Sequence, residues 1–151
     1  MAVAIALGSN LGDRHAFIAF AVSRLEAVLS DLRLSTLHDT APVGVGDQPR
    51  FLNGALTGTT ALEPRALLDR LLAVEREAGR IRPFEGAPRT LDLDLILYGD
   101  RVIHEPGLQV PHPRFRDRLF VLEPLAEIAA EWVDPVTRLT VGELGRRLRG
   151  C

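Results

Sequence analysis

Two aspartates interrupt an otherwise apolar, strand-like run, the stretch APRTLDLDLILYGD at residues 87–100. Side chains alternate across a strand, which predicts Asp92, Asp94 and Ile96 on one face. The same alternation predicts a core face of leucines: Leu91, Leu93, Leu95 and Leu97. Two neighbouring carboxylates repel each other unless water or a cation screens them. The pattern therefore fits either a half-buried strand with one wet face or a magnesium site, because Mg²⁺ binds one or two carboxylates together with water and substrate phosphates.

The size and charge of the chain restrict its function. A chain of 151 residues predicts one domain, residues 1–151. Its net charge of −2 gives no electrostatic support for a nucleic-acid or membrane-surface partner. The single cysteine, Cys151, gives no sign of an oxidising compartment. The first ten residues lack a basic region, and their apolar run is too short for a secretion signal or a membrane span, so we expect a cytoplasmic protein.

The order of predicted elements defines a fold class. Pro64 suits the first turn of a helix over 63–79, and Gly79 suits the position just past its end. GSNLG at residues 8–12 lacks the Gly-Lys-Ser/Thr of a phosphate-binding loop, so we interpret it as a helix entry. Before the C-terminal helices at 119–129 and 141–149, the order is β-α-β-β-α-β: strand 2–8, helix 14–30, strand 32–38, strand 51–60, helix 63–79 and the aspartate strand. This order predicts an α+β sandwich of the ferredoxin-like type, an antiparallel sheet with helices covering one face.

Arginines precede the aspartate pair closely, at Arg80, Arg82 and Arg89. Guanidinium groups bind phosphate oxygens bidentately, and carboxylate-held Mg²⁺ neutralises the same oxygens. This combination suits phosphoryl transfer, which depends on positioning and charge stabilisation. Solvated loop arginines paired with surface acids are the alternative.

Two further stretches carry candidate site residues. His112 lies between two prolines, and a histidine there could donate to a phosphate or transfer a proton, or be purely structural. Phe51 and Asn53 share one face of a strand. An aromatic ring can stack on a planar heterocycle, and a neighbouring carboxamide can hydrogen-bond to the polar edge of that heterocycle. The alternative is that Phe51 is a core residue and Asn53 ends a strand ladder.

Taken together, these stretches resemble the 6-hydroxymethyl-7,8-dihydropterin pyrophosphokinases of folate biosynthesis. The likeness covers most of the chain in the family's order, and its segments are ALGSNLGD (6–13), TAPVG (40–44), DQPRFLN (47–53), PRTLDLDLILYG (88–99) and VPHPRFRDRLFVLEPLAEIA (110–129). The pair PRTLDLD and PHPR…FVLEPL is highly specific, whereas GSNLG alone would be weak.

The resemblance implies a reaction and its ligands. The family transfers the pyrophosphoryl group of ATP to the hydroxymethyl group of the reduced pterin and releases AMP. Two Mg²⁺ ions would bridge the triphosphate and the ligands Asp92 and Asp94. ATP and the pterin would be the partners of a monomer, with no nucleic acid or membrane involved.

The resemblance also assigns roles by position. The pterin pocket would comprise Thr40, Pro42, Val43, Phe51, Asn53, Asp92 and Phe120, with the ring held between the two phenylalanines. The residues that hold or polarise the phosphates would be Arg80, Arg82, Arg89, His112 and Arg118. Arg80 and Arg89 would act in catalysis with the two aspartates, and Glu75 would lie at the nucleotide side. Loops 43–50 and 80–90 would close over the substrates and exclude water.

Alternative functions follow from the same residues. A metal-dependent phosphodiesterase or nuclease would use the aspartates without a pterin, but no further acids or histidines cluster near them in the sequence. A ferredoxin-like RNA-binding module would need exposed aromatics and a basic face, which the composition does not favour.

Two positions depart from the family pattern. Glu85 stands where the family usually has an arginine, and His38 stands where it often has an aromatic residue. A carboxylate at residue 85 would repel phosphate. Glu85→Arg is therefore expected to tighten ATP binding, measured by titration calorimetry, and an unchanged or weaker affinity would contradict this.

Overall fold

A five-stranded antiparallel sheet forms the centre of the molecule. The computed structural model describes residues 1–40, 50–79 and 90–150. The sheet contains β1 (Ala2–Ser9), β2 (Ser30–Leu34), β3 (His38–Thr40), β4 (Phe51–Thr59) and β5 (Asp92–Tyr98). The helices are α1 (Arg14–Leu25), α2 (Pro64–Glu77), α3 (Leu119–Ala129) and α4 (Val141–Arg149). A short hairpin of β6 (Ile103–Glu105) and β7 (Leu108–Val110) follows the sheet, and a 3-10 turn, Phe115–Asp117, precedes α3.

Strand β1 occupies an interior position of the sheet. It pairs antiparallel with β4 on one side and with β5 on the other. The order across the sheet is β2-β4-β1-β5, and β3 extends the pairing along β4. Because β2 and β3 follow one another along the same edge of β4, they take the place of a single strand in a β-α-β-β-α-β topology. The predicted ferredoxin-like fold is therefore confirmed, and the strand predicted at 32–38 is two short strands.

The alternation of β1 separates two cores. Its larger side chains, Val3, Ile5 and Leu7, lie in the core beneath α1 and α2. The small side chains Ala4 and Ala6 face the second core, where α3 and α4 pack. The prediction that helices cover one face describes α1 and α2 but is wrong for α3 and α4. The sequence explains the difference, because α3 is largely apolar and must be buried against the second face of the sheet.

A β-bulge changes the phase of β5. Leu95 pairs with Ile5, but Leu97 pairs with Ala4, so Ile96 is an extra residue between two pairs. An extra residue bends the strand and reverses the alternation beyond it. Ile96 and Leu97 consequently both pack in the core beneath α3 and α4. The predicted placement of Leu97 beside Leu95 is therefore wrong, because alternation alone does not reveal a bulge.

The helix ends follow local sequence signals. Asp13 is the N-cap of α1, and its side chain accepts from the N–H of Ala16 at 3.1 Å, as expected for a helix entry. The helix ends at Leu25 rather than near residue 30, because residues 30–34 extend into β2. Pro64 opens α2, and Gly79 follows it with a φ of +78°, which glycine adopts without strain. The helices predicted at 119–129 and 141–149 are confirmed as α3 and α4.

Within the described ranges, no helix combines the length and apolar character needed to cross a membrane.

Candidate active site

A row of residues crosses four strands at one end of the sheet, on the face that α3 covers elsewhere. In this row His38 pairs with Asn53, Asn53 with Gly8, and Gly8 with Asp92. Strands lie roughly 4.8 Å apart, so Asn53 and Asp92 are about 10 Å apart across the backbone of Gly8. The next row carries Ala55, Ala6 and Asp94. The sheet thus places an amide and two carboxylates on either side of a glycine.

Gly8 has no side chain at the centre of this row. A Cβ atom at Gly8 would lie 3.0 Å from Asn53 Oδ1 and 3.6 Å from Phe51 Cδ1. These distances show that both side chains lean over the position that a larger residue would fill. Glycine is needed here because a Cβ atom would crowd the carboxamide of Asn53. Gly8 was not among the predicted site residues, although the alternation of β1 places it on the same face as the small residues Ala4 and Ala6.

The orientation of Asn53 is set by a neighbouring strand. Asn53 Nδ2 donates to Thr40 Oγ1 at 2.6 Å. The carboxamide oxygen is left on the side of Gly8. Phe51 pairs with Thr40 in the ladder and is half-buried. The structure therefore brings together three of the predicted pterin-pocket residues, Thr40, Phe51 and Asn53.

Asp92 and Asp94 are half-buried on the same face of β5, while Leu93 and Leu95 are buried beneath α1 and α2. Residues two apart in a strand lie about 6.6 Å apart, close enough for one or two divalent cations to contact both carboxylates. Within the described ranges, no three His, Cys, Asp or Glu side chains form a larger metal-binding group. Mg²⁺ does not require one, since it takes further ligands from water and phosphate, so the pair fits this metal.

The backbone between the two aspartates is held by a carboxylate from α2. Glu75 is only 3% exposed, and its Oε2 accepts from the N–H of Leu93 at 2.7 Å. Among the described strands, β5 is the last in the order β2-β4-β1-β5, and the N–H of Leu93 is bonded by this side chain from α2. Glu75 therefore fixes the strand at the residue that sets the spacing of Asp92 and Asp94.

His112 is attached to the same strand. Its backbone N–H donates to the carbonyl of Ile96 at 3.0 Å. Its ring Nδ1 accepts from the backbone N–H of Arg114 at 3.1 Å. Burial lowers the pKa of His112 to about 4, assisted by the positive charge of Arg118, while Asp92 opposes the shift. Above this pH the ring is neutral, and because Nδ1 accepts a hydrogen bond, Nε2 carries the proton. The imidazole can therefore donate from Nε2.

Arg118 and Phe120 lie at the start of α3. The Arg118 guanidinium lies over the Phe120 ring, 5.5 Å from its centroid. Phe120 packs partly against the core beneath α3 and α4. The positive charge of Arg118 also lowers the pKa of His112. Arg118 and His112 therefore lie in the same region of the site. The structure thus brings together the predicted residues Asp92, His112 and Arg118.

Several predicted site residues lie outside the described ranges: Pro42, Val43, Arg80, Arg82, Glu85 and Arg89. Their roles stay predictions.

His38 replaces the aromatic residue of the family pattern with a polar contact. Its Nε2 lies 2.6 Å from Glu127 Oε2 on α3. The N–H and hydroxyl of Thr36 also donate to Glu127, each at 2.8 Å. The sequence analysis missed Glu127, because a residue 89 positions away gives no local signal.

The contact of Glu75 generates a prediction about stability. Glu75→Leu removes the acceptor of a buried N–H and should lower the free energy of unfolding by roughly 1–3 kcal/mol. Glu75→Gln keeps an acceptor oxygen and should be closer to the wild type. Urea denaturation and amide exchange of Leu93 measure both variants. Unchanged protection of the Leu93 amide in Glu75→Leu would contradict the contact.

The environment of His112 generates a prediction about pH. Its folded-state pKa of about 4 lies below the ordinary value of 6.5. Between these values the unfolded chain binds a proton that the folded protein does not, so stability falls as the pH drops from about 6.5 to 4. In the substrate-free protein, the imidazole signals of His112 should show no titration above pH 5.5 by NMR. A midpoint near 6.5 would show that His112 is solvated.

The chain is similar to known proteins over most of its length. Residues 4–130 match the family described as 7,8-dihydro-6-hydroxymethylpterin-pyrophosphokinase (HPPK). The 2-amino-4-hydroxy-6-hydroxymethyldihydropteridine pyrophosphokinase of Bacillus subtilis is 42% identical, covering 95% of this chain and 87% of that protein. The Pseudomonas aeruginosa protein of the same name is 45% identical, covering 85% and 81%.

Other relatives are longer than this chain. The folic acid synthesis protein fol1 of Pneumocystis carinii is 40% identical, but this chain spans only 19% of its length. A crystal structure of Plasmodium falciparum HPPK-DHPS, wild type with STZ-DHP, matches 97% of this chain and 43% of that chain with a TM-score of 0.80. At 13% identity, this likeness shows the fold alone. The match over residues 4–130 and the relatives above 40% identity show that the chain belongs to the 7,8-dihydro-6-hydroxymethylpterin-pyrophosphokinase family.

Proposed function

We propose that the chain transfers the pyrophosphoryl group of ATP to the hydroxymethyl group of 6-hydroxymethyl-7,8-dihydropterin in folate biosynthesis. Family membership supports the reaction. The observation that carries it is the row Asn53, Gly8 and Asp92, which places an amide and a pair of carboxylates on either side of a residue without a side chain. The reaction needs such a site, because the hydroxymethyl group of the planar pterin must lie next to the triphosphate of ATP.

The acceptor side is formed by the residues around Gly8. Asn53 can donate and accept along the edge of the pterin, and Thr40 holds its amide in place. We assign the ring to the position above Gly8 and its two faces to Phe51 and Phe120. The family resemblance assigns Pro42 and Val43 to the same side. Burial of the ring against these groups would fix the direction in which its hydroxymethyl group points.

The donor side is formed by Asp92 and Asp94 with the basic residues. We propose that the two aspartates hold two Mg²⁺ ions, and that Asp92 also contacts the pterin. Bound Mg²⁺ would neutralise the triphosphate and polarise the phosphorus that is attacked. His112 donates from Nε2 to a phosphate oxygen, and Arg118 contributes positive charge beside it. Glu75 keeps the aspartate backbone in position on the nucleotide side.

The chemical step exchanges one phosphorus–oxygen bond for another. The hydroxymethyl oxygen of the pterin bonds to the β-phosphorus of ATP, and the bond from that phosphorus to the α–β bridging oxygen breaks. AMP leaves with the bridging oxygen, and the pterin alcohol loses its proton. The arginines Arg80, Arg82 and Arg89 would stabilise the charge that develops on the phosphates, with Arg80 and Arg89 acting directly in catalysis.

The assembly and location of the enzyme stay predictions from the sequence. We propose a monomer that acts in the cytoplasm with ATP and the pterin as its partners. We also propose that residues 1–151 form a single domain.

The activity is tested by measuring AMP with ATP, Mg²⁺ and the pterin present. Asp92→Asn and Asp94→Asn should each reduce pterin-dependent AMP formation by at least roughly a hundredfold, because metal charge stabilisation contributes several kcal/mol. Asp100→Asn is the matched control, since Asp100 is exposed at the opposite end of the strand. Nucleotide hydrolysis that needs no pterin and persists in both variants would contradict the proposed function.

A further inference from the structure

Asp134 is a buried carboxylate that the proposed reaction does not use. It is 0% exposed and lies in the connection between α3 and α4. A carboxylate is buried at a high cost unless several donors surround it. A fully buried Asp134 therefore needs several hydrogen-bond donors around its carboxylate.

Four hydrogen bonds surround the Asp134 carboxylate. Arg116 binds it with both ends of the guanidinium, Nε to Oδ2 at 2.5 Å and Nη2 to Oδ1 at 2.9 Å. The Thr137 hydroxyl donates to Oδ2 at 2.7 Å, and the N–H of Val136 donates to Oδ1 at 3.1 Å. Burial alone would raise the pKa of Asp134, but these donors hold it at about 2. The carboxylate is therefore ionised at neutral pH, and its orientation is fixed.

Arg116 lies in the segment that carries the proposed phosphate ligands. His112 precedes it by four residues, and Arg118 follows it by two. Backbone bonds connect the segment, from the Phe115 N–H to the His112 carbonyl and from the Arg118 N–H to the Phe115 carbonyl. Phe115 is 0% exposed, and the Arg116 guanidinium lies 4.9 Å from the centre of its ring. A displacement of Arg116 would therefore be transmitted to His112 and Arg118.

The segment is attached to its surroundings on both sides of Arg114. At its start, the backbone N–H of His112 donates to the Ile96 carbonyl of β5. Two residues before Arg118, the paired hydrogen bonds between Arg116 and Asp134 connect the segment to the α3–α4 connection. A bidentate pair restrains rotation as well as distance, which a single backbone bond does not.

We propose that Asp134 is a positioning residue for phosphate binding, acting through Arg116 to hold His112 and Arg118 against the aspartate strand. The inference rests on the proposed role of His112 and Arg118 in binding ATP. Asp134 itself touches neither substrate. It determines where the donors of the 112–118 segment lie relative to Asp92 and Asp94.

The test compares ATP binding with pterin binding in three variants of the full chain. Asp134→Asn removes the charge that Arg116 binds, and Thr137→Val removes one bond to Asp134 while the pair with Arg116 stays. Thr140→Ala is the control, because it removes the capping box of α4 without touching Asp134 or Arg116. Titration calorimetry with the non-hydrolysable analogue α,β-methylene-ATP and, separately, with the pterin gives the dissociation constants. Urea denaturation gives the stability of each variant.

A positioning role predicts a selective loss. Asp134→Asn should weaken binding of the ATP analogue about tenfold, because small displacements of ligand-binding groups are costly. Thr137→Val should weaken it by a smaller factor, and both variants should keep pterin binding within about twofold of the wild type. Thr140→Ala should lower stability and leave both dissociation constants unchanged.

Other results would overturn the proposal. Equal losses of ATP and pterin binding would show a purely structural role for Asp134, and so would unchanged ATP binding in Asp134→Asn. If Asp134→Asn does not fold, Thr137→Val decides by the same criteria. His112→Ala and Arg118→Ala are measured alongside. If these two bind the ATP analogue normally, the proposed phosphate site itself is wrong, whereas weak binding in them with normal binding in Asp134→Asn refutes only the positioning role.

Discussion

The pairing of β1 with a strand on each side determines where every other part of the site lies. This strand brings β4 and β5, which are distant in the sequence, to either side of Gly8. A shift of either register by one residue would move its site residue to the opposite face, into a core lined by Ile5 and Leu7. The cores above and below the sheet therefore protect the functional geometry, because a slipped strand would bury charge and expose apolar side chains.

Groups from three elements converge on the acidic end of the sheet. Glu75 comes from α2 beneath the sheet and accepts a backbone hydrogen bond between the two aspartates. His112 comes from the segment after β7 and remains neutral, so it adds a donor without a charge. Positive charge enters with Arg118 at the start of α3 and would be completed by the cations that accompany ATP. Under the proposed function, bound Mg²⁺ would offset the charge of both the aspartates and the triphosphate.

Much of this arrangement was predictable from the sequence, and the exceptions share one physical cause. Alternation placed Asp92 and Asp94 on one face, and capping and turn residues placed Asp13, Pro64 and Gly79 at helix ends, because these signals are local. The bulge at Ile96, the contact of Glu127 with His38 and the pairing of Arg116 with Asp134 depend on segments brought together by the fold. The roles of the ligand-binding residues came from resemblance, since spacing alone left a wet strand and a metal site as equal alternatives.

The bulge in β5 has a consequence for how the strand can change in length. Before Ile96 the strand alternates between acidic residues and one core, and after it the phase is reversed so that Tyr98 returns to the core beneath α1 and α2. The two halves of β5 therefore alternate in opposite phase between the two cores. A change of length between Asp92 and Leu95 would turn at least one of the two carboxylates toward the core beneath α1 and α2. The bulge therefore lies where it reverses the packing of the strand end and leaves both aspartates on one face.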